Sequence, residues 1–206
     1  MLGLGAIPTI WLQQHLYKGT TGPLEVFAIA MYVSHFVAPL LLAFLIWAFW
    51  RGRGFTDLLY GILVVSLLGE ITFVLAPTAP PWLAADHGYI PHVHHVIKQG
   101  LYDLGLKDLA ARKDEPGSYN IVAALPSLHA AWPVIGLLVI RKHRLPAWLF
   151  AAQAVLLVGV VFAIVYTGEH YLVDALVGCA YAFAAWKLLG VFRRTEPGRA
   201  EPAAGS

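Results

Sequence analysis

The stretch YTGEHYLVDALVG, residues 166–178, joins two ionisable side chains to the start of a long apolar segment. His170 and Asp174 stand four residues apart, so on a helix they would lie on one face, roughly 6 Å apart along the axis. A single such residue could be a satisfied polar group at a membrane interface. The pair, taken with the second motif described next, favours a reaction centre.

The second motif is LPSLHA, residues 125–130, and it also opens a long apolar segment. We expect a helix to begin at Pro126, because proline suits the first helical position, where its missing N–H costs nothing. The free N–H groups of the turn that follows, which includes Leu128, and the Ser127 hydroxyl would form an anion site that suits a phosphate. His129 brings a second imidazole to the same turn.

The composition indicates an integral membrane protein. Of the 206 residues, 59% are hydrophobic and 13% are charged, with a mean hydropathy of +0.67. In a soluble domain about a quarter of the residues are charged, which is about twice the charged fraction of this chain. The net charge of +2 and the lack of a long basic run argue against nucleic acid as a partner. The one cysteine, Cys179, cannot form a disulfide within the chain and is expected to be a small buried apolar residue.

Apolar segments of the right length define the predicted spans, since a bilayer core of about 30 Å requires about 20 apolar residues per helix. We predict an all-α fold, a polytopic membrane bundle of about five transmembrane helices. The predicted spans are residues 26–50, 58–76, 121–140, 146–166 and 171–192. Residues 1–22 would form an interfacial segment with a short amphipathic helix at residues 9–17. The membrane catalytic domain would occupy residues 23–192, and residues 193–206 would form a disordered cytoplasmic tail.

The lysines and arginines divide unequally between the two sides of this bundle. Nine of the fourteen follow span one, three or five or lie near the end of span five. They are Arg51, Arg53, Arg141, Lys142, Arg144, Lys187, Arg193, Arg194 and Arg199. Because lysine and arginine favour the cytoplasmic side, we expect those ends inside and the N-terminus outside. Both motifs then lie on the outer side, so we expect a plasma-membrane protein whose active site faces outward.

The predicted outer loop, residues 77–120, is long, at 44 residues, and loops of this length are uncommon unless functional. It contains the tract PHVHHV, with His92, His94 and His95. Such a tract can bind a metal. Because the loop offers no carboxylate at a suitable spacing, we interpret these histidines as surface or headgroup contacts.

Two glutamates near the motifs admit more than one role. Glu70, in the second span, would be either a buried partner for a histidine such as His35 or a contact for a headgroup. Glu169, directly before His170, would either repel anions or position an acceptor hydroxyl.

The three motif side chains suit phosphorus chemistry. A neutral imidazole is a competent nucleophile towards phosphorus, so His170 would yield a phosphohistidine. The carboxylate of Asp174 could accept the other ring N–H, hold the tautomer and stabilise the cation that forms. His129, on a neighbouring helix, could protonate the leaving oxygen as a general acid.

These motifs resemble the type-2 phosphatidic acid phosphatase superfamily, which includes lipid phosphate phosphatases and vanadium haloperoxidases. The better match is to its inositol phosphorylceramide synthase-like branch, the inositolphosphotransferases. The matching segments are WLQ at residues 11–13, YVSHF at 32–36, APPW at 79–82, PSLH at 126–129 and HYLVD at 170–174. The resemblance covers roughly residues 8–192, and the last two segments together are specific.

The resemblance implies a role for each matched residue. His170 would be the nucleophile, Asp174 its activator and His129 the proton donor to the leaving group. The residues expected to bind substrate are Ser127, Pro126, Leu128, Pro81, Trp82, His35 and Glu70. The reaction implied is transfer of a phosphoryl or phospho-group from a lipid in the bilayer, through a covalent histidine intermediate, with no metal and no cofactor. The acceptor would be water in a phosphatase and an alcohol, such as the head of a ceramide, in a synthase.

The chain departs from the phosphatase branch in its basic residues. That branch carries a lysine and an arginine in its first motif and another arginine shortly before the nucleophile. Here neither APTAPPW, residues 76–82, nor FAIVYTGE, residues 162–169, contains a base. A dianionic phosphate needs positive charge or several N–H donors in its transition state. Lys107, Arg112 or Lys113 could fold over the site, and the missing bases favour transferase or phosphodiester chemistry over hydrolysis of a phosphate monoester.

Three functions stay open on these grounds. The leading one is a membrane-embedded phosphotransferase or phosphatase that acts on a lipid phosphate or phosphodiester at the outer face. A second is a phosphatase that releases phosphate from lipid phosphates or polyprenyl diphosphates. A third, from another class, is a catalytically silent lipid-binding or scrambling protein, against which the presence of all three of His129, His170 and Asp174 argues.

Overall fold

The computed structural model describes residues 7–52, 54–112 and 120–195, apart from the side chains of residues 112 and 192–195. In these ranges the chain forms nine α-helices and no strand. They are α1 (Pro8–Leu16), α2 (Pro23–Phe49), α3 (Phe55–Leu75), α4 (Pro81–Asp86), α5 (Val96–Asp103), α6 (Lys107–Arg112), α7 (Leu128–Lys142), α8 (Ala147–Tyr166) and α9 (Leu172–Thr195). The predicted all-α bundle is confirmed. The first three residues of the predicted tail, 193–195, belong to α9, and residues 196–206 lie outside the described ranges. Arg53 and Lys113 also lie outside them.

Four helices, α2, α3, α8 and α9, are long and apolar enough to cross a membrane. They match predicted spans one, two, four and five to within a few residues. Their outward faces carry large apolar side chains, and Leu40, Val74 and Val155 are each more than 70% exposed. An apolar surface of this extent requires a covering of lipid, because a soluble protein does not leave such faces in water.

The predicted third span is wrong in its first half, because residues 121–127 are not helical. The N–H of Thr78 donates to the carbonyl of Val122 at 2.7 Å, and the N–H of Ala124 donates back to Thr78 at 3.1 Å. This short bridge joins the two ends of the outer loop. It also holds the segment that leads into the second motif in an extended conformation.

Helix α7 therefore begins at Leu128, two residues later than predicted, with Ser127 as its N-cap. The peptide bond between Leu125 and Pro126 is cis. A residue that precedes proline is disfavoured in the helical conformation, so a helix does not run through this point. With 15 residues, α7 rises about 22 Å, which is less than the bilayer core.

Despite its length, α7 is the central helix of the bundle and packs against α2, α3, α8 and α9. Its side chains Ile135, Val139 and Ile140 are at most 1% exposed and form part of the main core. Ile135 lies so close to Gly61 of α3 that a Cβ added there would be 2.6 Å from it. Helix α7 is thus held by neighbours on several sides.

The end of α7 opposite the motifs is held by charge. The buried carboxylate of Asp57, in the first turn of α3, accepts from Lys142 and pairs with His143, each at 2.7 Å. At the same end Trp50 lies 6.3 Å from Trp148. The described basic residues that follow spans one and three therefore lie at one end of the bundle, and the motifs lie at the other.

The predicted N-terminal helix is present as α1, which packs against α8. Trp11 is 51% exposed, as an interfacial anchor would be, whereas Thr9 and Gln13 are buried. These two polar residues are four apart and share the face that meets the protein. Two polar side chains of this helix thus face the protein, whereas Gln14 and His15 are exposed.

Candidate active site

His170 does not share a helix with Asp174, contrary to the prediction. It ends the loop of residues 167–171, here called the pre-α9 loop, and α9 begins at Leu172. Asp174 lies in the first turn of α9, where its Oδ2 accepts the N–H of Tyr171 at 2.8 Å. The carboxylate therefore caps the helix that follows His170, and an acidic residue is favourable in the first turn of a helix.

The two predicted motifs meet, although His129 and His170 are 41 residues apart in the chain. His170 Nε2 lies 3.2 Å from His129 Nδ1. The backbones meet as well, because the N–H of Ser127 donates to the carbonyl of Asp174 at 3.0 Å. His170 is 5% exposed and Asp174 2%, so the site is shielded from bulk water.

The backbone carbonyl of Ala124 sets the tautomer of His170. It lies 2.8 Å from Nδ1, whereas the Asp174 Oδ2 is 3.7 Å away, beyond hydrogen-bond distance. A carbonyl can only accept, so Nδ1 carries the ring proton and Nε2 keeps its lone pair. The predicted hydrogen bond from the imidazole to Asp174 is therefore absent, and at 3.7 Å the carboxylate could influence the ring only through its charge.

His129 lies in a stack of flat side chains. Its ring centroid is 4.8 Å from that of Tyr32 and 4.2 Å from that of His35, both on α2. His35 in turn stacks on Trp132 at 4.1 Å, and the indole N–H of Trp132 donates to Ser66 at 3.0 Å. His35 is 5% exposed, so it lies behind His129 and supports that ring.

At the start of α7, where an anion site was predicted, the structure has a buried polar side chain. Ser127 is fully buried, and its hydroxyl has no hydrogen-bond partner among the described residues. Such a hydroxyl costs free energy until a ligand or water satisfies it. Pro126 is buried beside it, and the Leu128 side chain packs against Gly69 of α3, so only the backbone of Leu128 is placed to meet a ligand.

The APPW segment and one histidine of the outer loop reach the pre-α9 loop. Pro81 begins α4, and the N–H of Trp82 donates to the carbonyl of Gly168 at 3.2 Å. The Trp82 ring lies flat on His95, at 4.3 Å and 3°. His95 Nε2 is 3.0 Å from Glu169 Oε1. His95 is thus a partner of the residue next to His170, and its interpretation as a surface contact is wrong.

Gln13 ties the outer loop to the end of α8. Its amide N–H groups donate to Tyr166 at 2.8 Å and to His94 at 3.0 Å, and its carbonyl accepts the N–H of His94 at 2.8 Å. Sequence reasoning missed this role. The signal was available, since Thr9 and Gln13 lie four apart in an otherwise apolar stretch.

Other predicted contacts lie apart from the two histidines. Glu70 is exposed on α3, so its predicted role as a buried partner of His35 is wrong, and the headgroup contact stays a prediction. Lys107 lies 5.4 Å over the ring of Tyr102. The side chain of Arg112, like Lys113, is outside the description.

The remaining histidines of the tract lie beside each other, with His92 Nε2 3.4 Å from His94 Nδ1. His92 is exposed. The pKa of His94 is lowered from its usual value, mainly by burial of its own ring and to a smaller extent by the nearby His92. In the part of the chain that the structure describes, no group of three or more His, Cys, Asp or Glu side chains converges as metal ligands.

Comparison with known proteins identifies the family of this chain. A family model described as the PAP2 superfamily matches residues 3–188, nearly the whole chain. The chain belongs to the PAP2 superfamily. This superfamily comprises lipid phosphatases and phosphotransferases, so the family supports an enzyme, and the predicted resemblance is confirmed.

One curated relative fits the inositol phosphorylceramide synthase-like branch, which the motifs resemble. It is the phosphoinositol dihydroceramide synthase of Bacteroides thetaiotaomicron, 26% identical over 165 residues. The match covers 79% of this chain and 54% of the relative, so the chain spans about half the length of that protein. No solved structure shows a significant match.

Proposed function

We propose that this PAP2 protein is a membrane-embedded phosphotransferase that moves a phospho-group between lipids through a phosphohistidine on His170. One observation carries the proposal. The Ala124 carbonyl holds the proton on Nδ1, which leaves the Nε2 lone pair directed at His129, 3.2 Å away. Because 3.2 Å is a hydrogen-bond distance, a phosphorus atom that binds to Nε2 would replace this contact and move the His129 ring away from His170. The nucleophile and the proton donor would then lie on either side of the group that is transferred.

The first half-reaction forms the covalent intermediate. His170 Nε2 attacks phosphorus, the bond from phosphorus to the leaving oxygen breaks, and that oxygen keeps the electron pair and takes a proton from His129. The His170 ring becomes cationic. Its Nδ1–H remains bonded to Ala124 at 2.8 Å, and the Asp174 carboxylate at 3.7 Å stabilises the positive charge.

The second half-reaction reverses these roles. A hydroxyl of the acceptor attacks phosphorus, His129 takes its proton, and the bond from phosphorus to Nε2 breaks with its electron pair returned to the ring. No metal and no cofactor enters either step of this proposal. The negative oxygens would be stabilised by the first-turn N–H groups of α7 and by the buried Ser127 hydroxyl.

The acceptor in this proposal is an alcohol rather than water. The curated relative is named a phosphoinositol dihydroceramide synthase, and this chain lacks the bases that its phosphatase relatives carry. The site would face the outside of a plasma membrane. In support, the described basic residues after the first and third predicted spans lie at the opposite end of the bundle, near Asp57.

The test uses the purified full chain in mixed micelles with a phospholipid labelled in its phosphate. Inositol, a ceramide or diacylglycerol is added as acceptor. We expect a new labelled phosphodiester lipid, inhibition by vanadate, and no product from His170→Ala. A His87→Gln variant, which changes an exposed loop histidine, is the control and should keep full activity. Release of free phosphate would identify a phosphatase instead, and undiminished turnover by His170→Ala would refute the mechanism.

A further inference from the structure

Glu169 places a carboxylate directly before a nucleophile that, in the proposed function, must meet an anion. Adjacent Cα atoms are about 3.8 Å apart, so the charged side chain belongs to the same turn of the pre-α9 loop as the His170 imidazole. Its side chain is 8% exposed, so water and salt screen it weakly. At an effective dielectric constant of about 20, two negative charges even about 10 Å apart repel strongly enough to weaken binding more than tenfold.

His95 compensates this carboxylate from a distant part of the chain. Its Nε2 lies 3.0 Å from Glu169 Oε1, across 74 residues of sequence. The imidazole is 15% exposed, so the pair is largely desolvated. Val93 and Val96, on either side of the histidine, are at most 2% exposed and anchor this part of the outer loop.

The Trp82 ring suits a cationic His95. The two rings lie 4.3 Å apart and within 3° of parallel, so the indole face covers the imidazole. An aromatic face at this distance attracts a cation. The backbone N–H of Trp82 donates to Gly168 at 3.2 Å, which ties the stack to the loop that carries Glu169.

We propose that His95 is a positioning residue that neutralises Glu169 and so allows an anionic phosphate to approach His170. The inference rests on the proposed function, because it requires an anion at that nucleophile. Trp82 holds the compensating ring in place. The pair acts on substrate binding through charge and does not take part in bond breaking.

The experiment measures the affinity of orthovanadate for the purified full chain, from the rise in thermal unfolding temperature with vanadate concentration. His95→Gln should weaken binding at least tenfold, because glutamine can donate to the carboxylate but cannot carry its counter-charge. Glu169→Gln should bind as tightly as the wild type or more tightly. The double variant should return to within threefold of Glu169→Gln, and His87→Gln should match the wild type.

This rescue separates a charge effect from a structural one. If His95 only supported the fold, the double variant would bind vanadate as weakly as His95→Gln or more weakly, and that result would overturn the proposal. Wild-type affinity in His95→Gln, or no vanadate binding by the wild type, would overturn it as well.

Lipid transfer measured on the same samples distinguishes the two proposals. Transfer by the wild type with no vanadate defect in His95→Gln would leave the proposed function standing and remove the role of His95. The expected vanadate pattern without any lipid turnover would support the charge compensation and count against the proposed reaction.

Discussion

Gly178 of α9 and Ser127 at the start of α7 meet backbone to backbone. A Cβ added to Gly178 would lie 2.1 Å from the Ser127 carbonyl oxygen, far inside contact distance. One turn earlier on α9, the carbonyl of Asp174 accepts the N–H of Ser127 at 3.0 Å. The approach of α9 to α7 thus sets the spacing between the segments that carry His170 and His129.

Substitution Gly178→Ala tests this contact. We expect it to push the two helices apart, to destabilise the fold by about 1–3 kcal/mol as overpacking does, and to lower kcat by an order of magnitude or more. The control lies in the same helix. No atom lies within 4 Å of a Cβ placed on Gly190, so Gly190→Ala should keep activity and gain about 1 kcal/mol of helix stability. Equal transfer rates in the two variants would contradict this account.

Gln13 offers a second test, because its amide joins α1, the outer loop and α8. Gln13→Ala removes three hydrogen bonds and leaves the Tyr166 carbonyl without its Gln13 donor in a buried place. We expect a loss of about 1–3 kcal/mol and faster protease cleavage within the outer loop, with reduced transfer. The neighbouring Gln14 is exposed, so Gln14→Ala should behave as the wild type. Similar cleavage rates for the two variants would rule out the tie.

Asp174 has two functions that substitution can separate. Asp174→Asn keeps an oxygen that can accept the Tyr171 N–H but removes the charge 3.7 Å from His170. We expect kcat to fall at least tenfold with little change in thermal stability. Asp174→Ala should lose the same activity and in addition about 1 kcal/mol of stability, as loss of a helix cap does. Full activity in the asparagine variant would show that the charge is not needed.

Asp57 allows stability to be tested apart from chemistry. Asp57→Ala removes the partner of Lys142 and His143 at the end of the bundle that is remote from the site. Since Lys142 is 48% exposed, we expect a modest loss, about 1 kcal/mol, seen as a lower unfolding temperature. At temperatures well below unfolding, kcat/KM should not change. Asp86→Ala, at an exposed carboxylate, serves as the control for charge removal.

Hydropathy and charge were sufficient to predict the bundle and to place both motifs at one end of it. The error at residues 121–127 shows the limit of hydropathy, because that segment is as apolar as a span. The local rule at Leu125, which precedes Pro126, contained the missing information. A restriction on backbone angles overrode the length of the apolar segment.

The meeting of His129 and His170 was predictable because the types and spacings of the motif residues indicate a shared site. The group that orients His170 was not, because the Ala124 carbonyl is a backbone atom that every residue possesses. Likewise His95 acquires its partner only when the outer loop folds back over 74 residues of chain. Contacts of that kind depend on tertiary structure and leave no local pattern.

The length of α7 affects how easily water can reach the start of this helix. Its 15 residues rise about 22 Å, so if its basic end lies level with the inner boundary of a hydrocarbon core of about 30 Å, its other end stops about 8 Å short of the outer boundary. The phosphate would then be drawn below the level of its neighbours' headgroups, where the supply of water is poor and lipid hydroxyls can reach it from the side. We expect the depth of this recess to favour transfer to an alcohol over hydrolysis.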